Sequence, residues 1–110
     1  MSSVLDLAKW DAALLEGRVL REDLLVQMWT PVVLNDGTER PYGFGWSLDP
    51  TNGQPTVSHG GALPGYVTHI MRLTDSQLTV IVLTNCDCTE GLPDIARRIA
   101  SFFEPSVDRL

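Results

Sequence analysis

The stretch PTVSHGGALPGYVTHIMRLTDSQLTVIVLTN, residues 55–85, decides the fold of this chain of 110 residues. Its β-branched and alternating apolar residues predict three extended segments: one leading into His59-Gly60-Gly61, one over 66–73 and one over 78–85. Short turns rich in glycine, proline and aspartate separate these segments. Because strands joined by short turns pair antiparallel, the stretch predicts an antiparallel sheet.

The segment 78–85 is apolar on both of its faces, with Val80 and Val82 on one face and Ile81 and Leu83 on the other. Such two-sided apolarity is typical of a central strand that is covered from above and below. One helix can cover only one face of a sheet. The second cover must therefore come from the N-terminal helices, from another chain, or from sequence outside this one.

Helices are predicted on both sides of this sheet in the sequence. Ser3 and Asp6 form a capping box at the start of the first helix, and a second helix is predicted over 21–29. The last helix is expected to begin at Pro93 and to lie on the sheet. Its large apolar side chains form one stripe at Leu92, Ile95, Ile99 and Phe102.

These elements predict an α+β fold. Two N-terminal helices and a C-terminal helix pack on an antiparallel sheet of about four strands, the first of them over 42–48. The chain 1–110 is then a single domain or a fragment of one. Its parts are a helical segment at 1–34, the sheet at 40–88 and the C-terminal helix at 91–104.

Composition and charge argue against several kinds of partner. Fourteen acidic and eight basic residues give a net charge of −6, which argues against nucleic acid because phosphate binding needs a basic surface. No apolar run approaches the ~20 residues of a membrane-spanning helix, so no membrane span is expected. Nothing in the sequence assigns the protein to a cellular compartment.

The two cysteines, Cys86 and Cys88, are expected to be free thiols. If their segment stays extended, the two Cα atoms lie near the ~7 Å limit for a disulfide. A metal site would need His59 and His69 to converge on them, and zinc signatures ordinarily contain two spaced cysteine pairs. We therefore expect no metal and no cofactor.

The tripeptide His59-Gly60-Gly61 favours a strand that lines a cleft, because two glycines let a ligand come close to the backbone. The alternative is a turn whose imidazole hydrogen-bonds to the backbone. A nucleophile is not evident beside it. The only lysine is Lys9, no serine stands three residues before it, and neither tyrosine is followed two residues later by asparagine.

Five short motifs follow one another over nearly the whole chain. They are Ser2-Ser3-Val4-x-Asp6-Leu7-Ala8-Lys9-Trp10, Met28-Trp29-Thr30-Pro31, Tyr42-Gly43-Phe44-Gly45-Trp46, His59-Gly60-Gly61-x-x-Pro64-Gly65 and Val80-Ile81-Val82-Leu83-Thr84-Asn85. In this order and spacing they resemble the C-terminal part of the serine β-lactamase-like family. That family is the group of class C β-lactamases, penicillin-binding proteins and esterases, and its partial β-lactamase/transpeptidase-like fold is the one expected here.

The family combines a Ser-x-x-Lys, a Tyr-x-Asn and a Lys/His-Thr/Ser/Gly-Gly strand, and only the third motif is matched here. The resemblance implies that His59 takes the cationic or proton-sharing catalytic position and that Gly60 and Gly61 bind substrate. It also implies that the Ala62 N–H is one half of an oxyanion hole. Relatives that hydrolyse β-lactams typically carry a hydroxyl residue where this chain has Gly60, which favours an esterase or peptidase-like parent.

The resemblance thus implies the C-terminal segment of a serine hydrolase with a small-molecule acyl substrate, inactive without its nucleophile. The alternative is a stand-alone binding or assembly module that pairs with itself, as a homo-oligomer, or with a separate N-terminal portion. A third hypothesis is metal binding through Cys86, Cys88 and a histidine.

Overall fold

The structure, a computed structural model, describes residues 1–108. Its elements are α1 (Val4–Leu15), α2 (Glu22–Met28), β1 (Val32–Val33), β2 (Glu39–Arg40), β3 (Thr56–Leu63), β4 (Tyr66–Leu73), β5 (Leu78–Thr84), α3 (Leu92–Ser101) and a 3-10 helix (Pro105–Asp108). The predicted α+β fold is confirmed. Among the helices of this described part, none has the length and apolar character needed to cross a membrane.

Among the described residues, the main sheet has three antiparallel strands in the order β3-β4-β5. Strands β3 and β4 are joined by the two-residue turn Pro64-Gly65, in which Gly65 has a φ of +84° that favours glycine. Strand β4 is therefore central and β5 lies at an edge, so the prediction of a central strand over 78–85 is wrong. Both faces of β5 are apolar because other elements pack on the sheet from above and below, not because strands flank β5 on both sides.

Each face of the sheet packs on different helices, because successive side chains along a strand alternate between faces. On one face Met71, Leu73 and Val80 form a core with α3. On the other face Val57 packs with Leu14 of α1 and with Trp46. The second cover that the sequence demands is thus supplied by the N-terminal helical segment of the same chain.

Helix α3 contacts the sheet through small residues. It buries Leu92, Ala96 and Ala100, which repeat every four residues. The larger side chains beside this row are exposed instead: Ile95 by 39%, Ile99 by 38% and Phe102 by 84%. Of the predicted stripe only Leu92 is therefore buried, because alanines let the helix approach the strands closely and the row that contains them turns inward.

The two N-terminal helices begin and end close to their predicted bounds. The Asp6 N–H donates to the Ser3 hydroxyl at 3.2 Å, which is one half of the predicted capping box. The Asp6 carboxylate lies 3.8 Å from Lys9 Nζ, with which it forms an exposed ion pair. Helix α2 covers all but the first and last residues of the predicted 21–29.

The expected strand over 42–48 is reduced to isolated bridges. Ser47 pairs with Ser58 at the start of β3, through N–H···O distances of 2.7 and 2.9 Å. Tyr42 pairs back with Ser47, because Gly45 adopts a φ of +81° and turns the chain between them. A continuous fourth strand is thereby replaced by a tight loop laid against the outer edge of β3.

The cysteine prediction is also wrong. Cys86 and Cys88 form a disulfide, with Cα atoms 5.1 Å apart. Their segment leaves the extended conformation after Thr84, and this turn shortens the Cα separation to a value that a disulfide spans. Between them, the Asp87 carboxylate accepts the Gly65 N–H at 3.0 Å and so ties this loop to the β3–β4 turn.

Candidate active site

The His59-Gly60-Gly61 tripeptide lies in the middle of β3, an edge strand of the main sheet. The backbone is extended throughout β3, and the His59 side chain is exposed. The Ser47 loop pairs with β3 at Ser58. Beyond Ser58, no described residue pairs with the outer edge of the strand, so the backbone from His59 onward faces open space.

The alternation of hydrogen bonds along β3 sets the direction of each amide. Ser58 exchanges both of its backbone hydrogen bonds with Ser47, so its N–H and C=O point outward, away from β4. In an antiparallel strand this direction repeats every second residue. The N–H groups of Gly60 and Ala62 therefore also point outward, toward the free edge. The strand thus presents the Ala62 donor in the direction that an oxyanion site at this edge requires.

The two glycines of the tripeptide meet different neighbours. A Cβ atom added at Gly61 would lie 2.6 Å from Thr68 Oγ1, so the Thr68 side chain would have to shift to admit a side chain there. A Cβ atom at Gly60 would lie 3.7 Å from His69 Nδ1, which is an ordinary contact. Packing against β4 therefore opposes a side chain at 61 but not at 60.

The imidazole of His59 has a hydrogen-bond partner that the sequence does not reveal. His59 Nε2 lies 3.1 Å from the hydroxyl of Tyr42, and the two ring centroids are 6.3 Å apart. The sequence places Tyr42 only on the apolar side of a predicted strand. The loop that replaces this strand brings the phenol to the edge of β3.

Grooves open on both faces of the sheet beside the tripeptide. A groove of about 530 Å³ on the α3 side is lined by Tyr42, Ser47, His59, Gly60 and His69 among others. A groove of about 500 Å³ on the α1 side is lined by Trp10, Phe44, Gly61 and Leu83 among others. A ligand at the free edge of β3 can therefore extend over either face.

The two histidines lie on opposite faces of the sheet. His59 is directly opposite Ile70 in the register, so His69, one residue earlier in β4, projects from the other face. No group of three His, Cys, Asp or Glu side chains within residues 1–108 is placed to hold a metal ion. The arrangement gives no support to the hypothesis of a metal site built from Cys86, Cys88 and a histidine.

His69 is buried, and its titration is expected to make stability depend on pH. Burial lowers the pKa of His69 below its ordinary value of 6.5, and the positive charge of His59 lowers this pKa further. At mildly acidic pH, His69 therefore binds a proton more readily in the unfolded chain than in the folded chain. The stability contributed by neutral His69 is complete above pH 6.5 and is lost as the pH falls through the lowered pKa.

Urea titrations on either side of pH 6.5 test this expectation. The midpoint of the parent chain should fall on acidification, and the fall should be smaller in His69→Gln, whose side chain has no charge to gain. An equal fall in both proteins would show that other groups carry the pH dependence. The comparison uses the change of each urea midpoint with pH, so a uniform loss of stability in the variant does not affect it.

The sequence of this chain is similar to those of known proteins. A family model described as Beta-lactamase matches residues 1–102. D-aminopeptidase of Gluconobacter oxydans (strain 621H) is 32% identical over 84 residues, which are 76% of this chain and 16% of that protein. Penicillin-binding protein 4* of Bacillus subtilis (strain 168) is 39% identical over 82 residues, which are 73% of this chain and 18% of that protein.

The fold recurs in a solved structure, that of an octameric penicillin-binding protein homologue from Pyrococcus abyssi. The two structures share a TM-score of 0.75 at 24% identity, over 94% of this chain and 24% of that one. This chain thus spans less than a fifth of the length of the two curated relatives, at 16% and 18%. Because the family model covers residues 1–102, nearly the whole chain, we conclude that the protein belongs to the serine β-lactamase-like family.

Proposed function

We propose that this chain is the C-terminal segment of a serine hydrolase that transfers acyl groups. In this proposal it contributes the strand His59-Gly60-Gly61-Ala62 to a cleft and receives the nucleophile from outside the chain. The observation that carries the proposal is the free edge of β3, where the Ala62 N–H points outward on the strand that also exposes the imidazole of His59. The absence of a Ser-x-x-Lys from the sequence supports the second part.

The chemistry of acyl transfer explains why one strand supplies only part of the site. The tetrahedral intermediate carries an oxyanion that is stabilised by two preorganised donors in a water-poor cleft. The Ala62 N–H supplies one donor, and the backbone N–H of the absent serine supplies the other. His59 lies three residues before Ala62 on the same strand, and in this proposal it shares a proton with, or places positive charge near, the reacting acyl group.

The substrate class follows from Gly60 in this proposal. A hydroxyl side chain at that position would hold a substrate carboxylate, whereas Gly60 leaves the position open without any packing reason. We therefore infer an ester or peptide substrate in preference to a β-lactam. The name of the Gluconobacter relative, a D-aminopeptidase, supports the peptidase side of this inference.

A second candidate function is an assembly module. Within residues 1–108, no strand pairs with the outer edge of β5, and Ile95 and Ile99 of α3 are exposed together with Phe102, which follows the helix. An open strand edge and exposed apolar side chains both favour association with another chain or segment. The two candidates are compatible if the missing nucleophile and the partner of the open β5 edge belong to the same segment.

The purified chain alone is expected to turn over neither nitrocefin nor p-nitrophenyl esters, because it carries a cleft strand but no nucleophile. Turnover abolished by a serine-directed inhibitor would refute this part of the proposal. The DNA upstream of the Met1 codon provides the complementary test: an in-frame Ser-x-x-Lys and Tyr-x-Asn are expected. Their absence, together with self-association in sedimentation velocity, would favour the assembly module instead.

A further inference from the structure

We propose that Tyr42 is a positioning residue that holds His59 in the tautomer with its proton on Nδ1, so that the imidazole faces the cleft as a hydrogen-bond donor. The part that this tautomer plays in catalysis rests on the proposed function, whereas the tautomer itself depends only on the hydrogen bond between Tyr42 and His59. It assigns His59 the role of stabilising charge on the acyl group, not that of a base acting through Nε2.

Tyr42 is held firmly enough to direct the ring of His59. Its N–H donates to the Arg40 carbonyl at 2.7 Å, and its own carbonyl accepts the Val32 N–H at 2.9 Å. A bridge to Ser47 adds a third backbone constraint. The phenol hydroxyl at the end of this fixed residue lies 3.1 Å from His59 Nε2.

The direction of the hydrogen bond follows from the chemistry of its two groups. A phenol O–H is a stronger donor than the N–H of a neutral imidazole, and an imidazole nitrogen is a stronger acceptor than a phenol oxygen. The favoured arrangement is therefore Tyr42 Oη–H donating to His59 Nε2. In a neutral imidazole only one nitrogen carries a proton, so the proton of His59 must then be on Nδ1.

The second ring nitrogen is the one available to a substrate. Within the described residues 1–108, His59 Nδ1 has no hydrogen-bond partner, and His69 projects from the opposite face of the sheet. A donor at Nδ1 is a second polar donor on the strand that presents the outward N–H of Ala62, three residues further along. A donor of this kind stabilises an oxygen that gains negative charge during acyl transfer.

Nitrogen-15 NMR of the imidazole rings tests the tautomer directly. At a pH alkaline enough to leave both rings neutral, the full chain should show a protonated Nδ1 and an unprotonated Nε2 for His59. Tyr42→Phe removes only the hydroxyl, and it should invert the major tautomer toward Nε2–H, the form that free histidine prefers. The variant His69→Gln assigns the two ring spectra.

Tyr66→Phe provides a matched control, because Tyr66 is an exposed tyrosine of β4 with no hydrogen bond to a histidine. It should leave the His59 spectrum unchanged. A parent chain with its proton on Nε2, or a Tyr42→Phe spectrum identical to the parent, would overturn the proposal. A uniform loss of structure would move backbone amide signals throughout the sheet, whereas the expected change is confined to the ring of His59.

This test fails or succeeds independently of the proposed function. The ring spectrum requires no nucleophile and no substrate, so turnover by the chain alone would refute the serine-hydrolase segment while leaving the tautomer result standing. Conversely, if the chain shows no turnover and the proton of His59 is on Nε2, the proposed function stands and the positioning role of Tyr42 is refuted.

Discussion

Replacing Asp11 with alanine is expected to lower the free energy of unfolding by about 3–5 kcal/mol, because it leaves a buried arginine without its counter-ion. Arg72 Nη1 lies 3.1 Å from Asp11 Oδ2, and the two residues are only 4% and 7% exposed. Thr79 donates to the same carboxylate oxygen at 2.9 Å. Burial lowers the pKa of Arg72, and the charge of Asp11 opposes that shift.

This pair joins α1 to the sheet, so its loss should affect the whole fold. Domains of this size have total stabilities of about 5–15 kcal/mol, and the expected loss is a large fraction of that. Guanidinium unfolding followed by circular dichroism measures it. Asp6→Ala is the matched control on the same helix: Asp6 pairs with Lys9 in solvent at 3.8 Å, and its removal should cost no more than about 0.5 kcal/mol.

A double replacement separates the cost of an unpaired charge from the value of the pair. Asp11 Oδ1 and Arg72 Nε are buried without hydrogen-bond partners in the described structure, so the pair is incompletely satisfied. Asp11→Leu combined with Arg72→Met should therefore recover most of the stability that Asp11→Ala loses. A double variant as unstable as the single one would show that the ion pair itself, and not its disruption, stabilises the fold.

Replacing Gly43 with alanine is the second change with a large expected effect, about 1–3 kcal/mol or more, because overpacking against backbone cannot relax by side-chain rotation. A Cβ atom at Gly43 would fall well inside the contact distance of the Met28 carbonyl oxygen and 3.1 Å from its carbon. The Phe44 N–H donates to that same carbonyl at 2.9 Å, which fixes the close approach.

The position of Gly43 explains why the effect should reach the site. The loop that contains it carries Tyr42, which contacts His59, and Trp46, which is buried and packs edge-on against Trp29 at a centroid distance of 6.1 Å. Displacing the loop therefore moves the partner of the imidazole and disturbs the core on the α1 side. Thermal unfolding measures the loss of stability, and the His59 ring spectrum measures the displacement.

Gly60→Ala is the control for the Gly43 prediction. Its added Cβ atom would meet only ordinary contacts at 3.7 Å, so the melting temperature should stay close to that of the parent. Alanine also reduces the conformational freedom of the unfolded chain, which favours the folded state slightly. Equal losses in the two variants would contradict the steric explanation and point to a general intolerance of side chains in this loop and strand.

Local patterns were sufficient to predict α1 to α3 and β3 to β5, but not the loop that replaces the expected strand over 42–48. The strands β3, β4 and β5 follow from alternation and from the turns between them, and the helices follow from their caps and apolar spacing. Local patterns were not sufficient for the face of α3 that turns inward. Ile95 and Ala96 both lie in apolar rows of that helix, and only the close approach of the sheet selects the alanine row.

The candidate site likewise has features that the sequence predicts and features that it does not. The extended conformation of the tripeptide and the outward direction of alternate amides are properties of one strand, so residues 55–62 predict them. The hydrogen bond from Tyr42 joins residues 17 apart in sequence, and no local pattern encodes it. The disulfide between Cys86 and Cys88 was missed for a related reason, because the turn that shortens their Cα separation depends on where β5 ends.

By itself, the sequence determined the family of this protein, its helices α1 to α3, its strands β3 to β5 and the strand that lines its candidate cleft, because each is set by neighbours along the chain. Only the tertiary structure decided that β4 is the central strand, which row of α3 is buried, and which partner holds His59. These depend on contacts between segments far apart in sequence. Apolar character and strand spacing allow several such contacts, and close packing selects one of them.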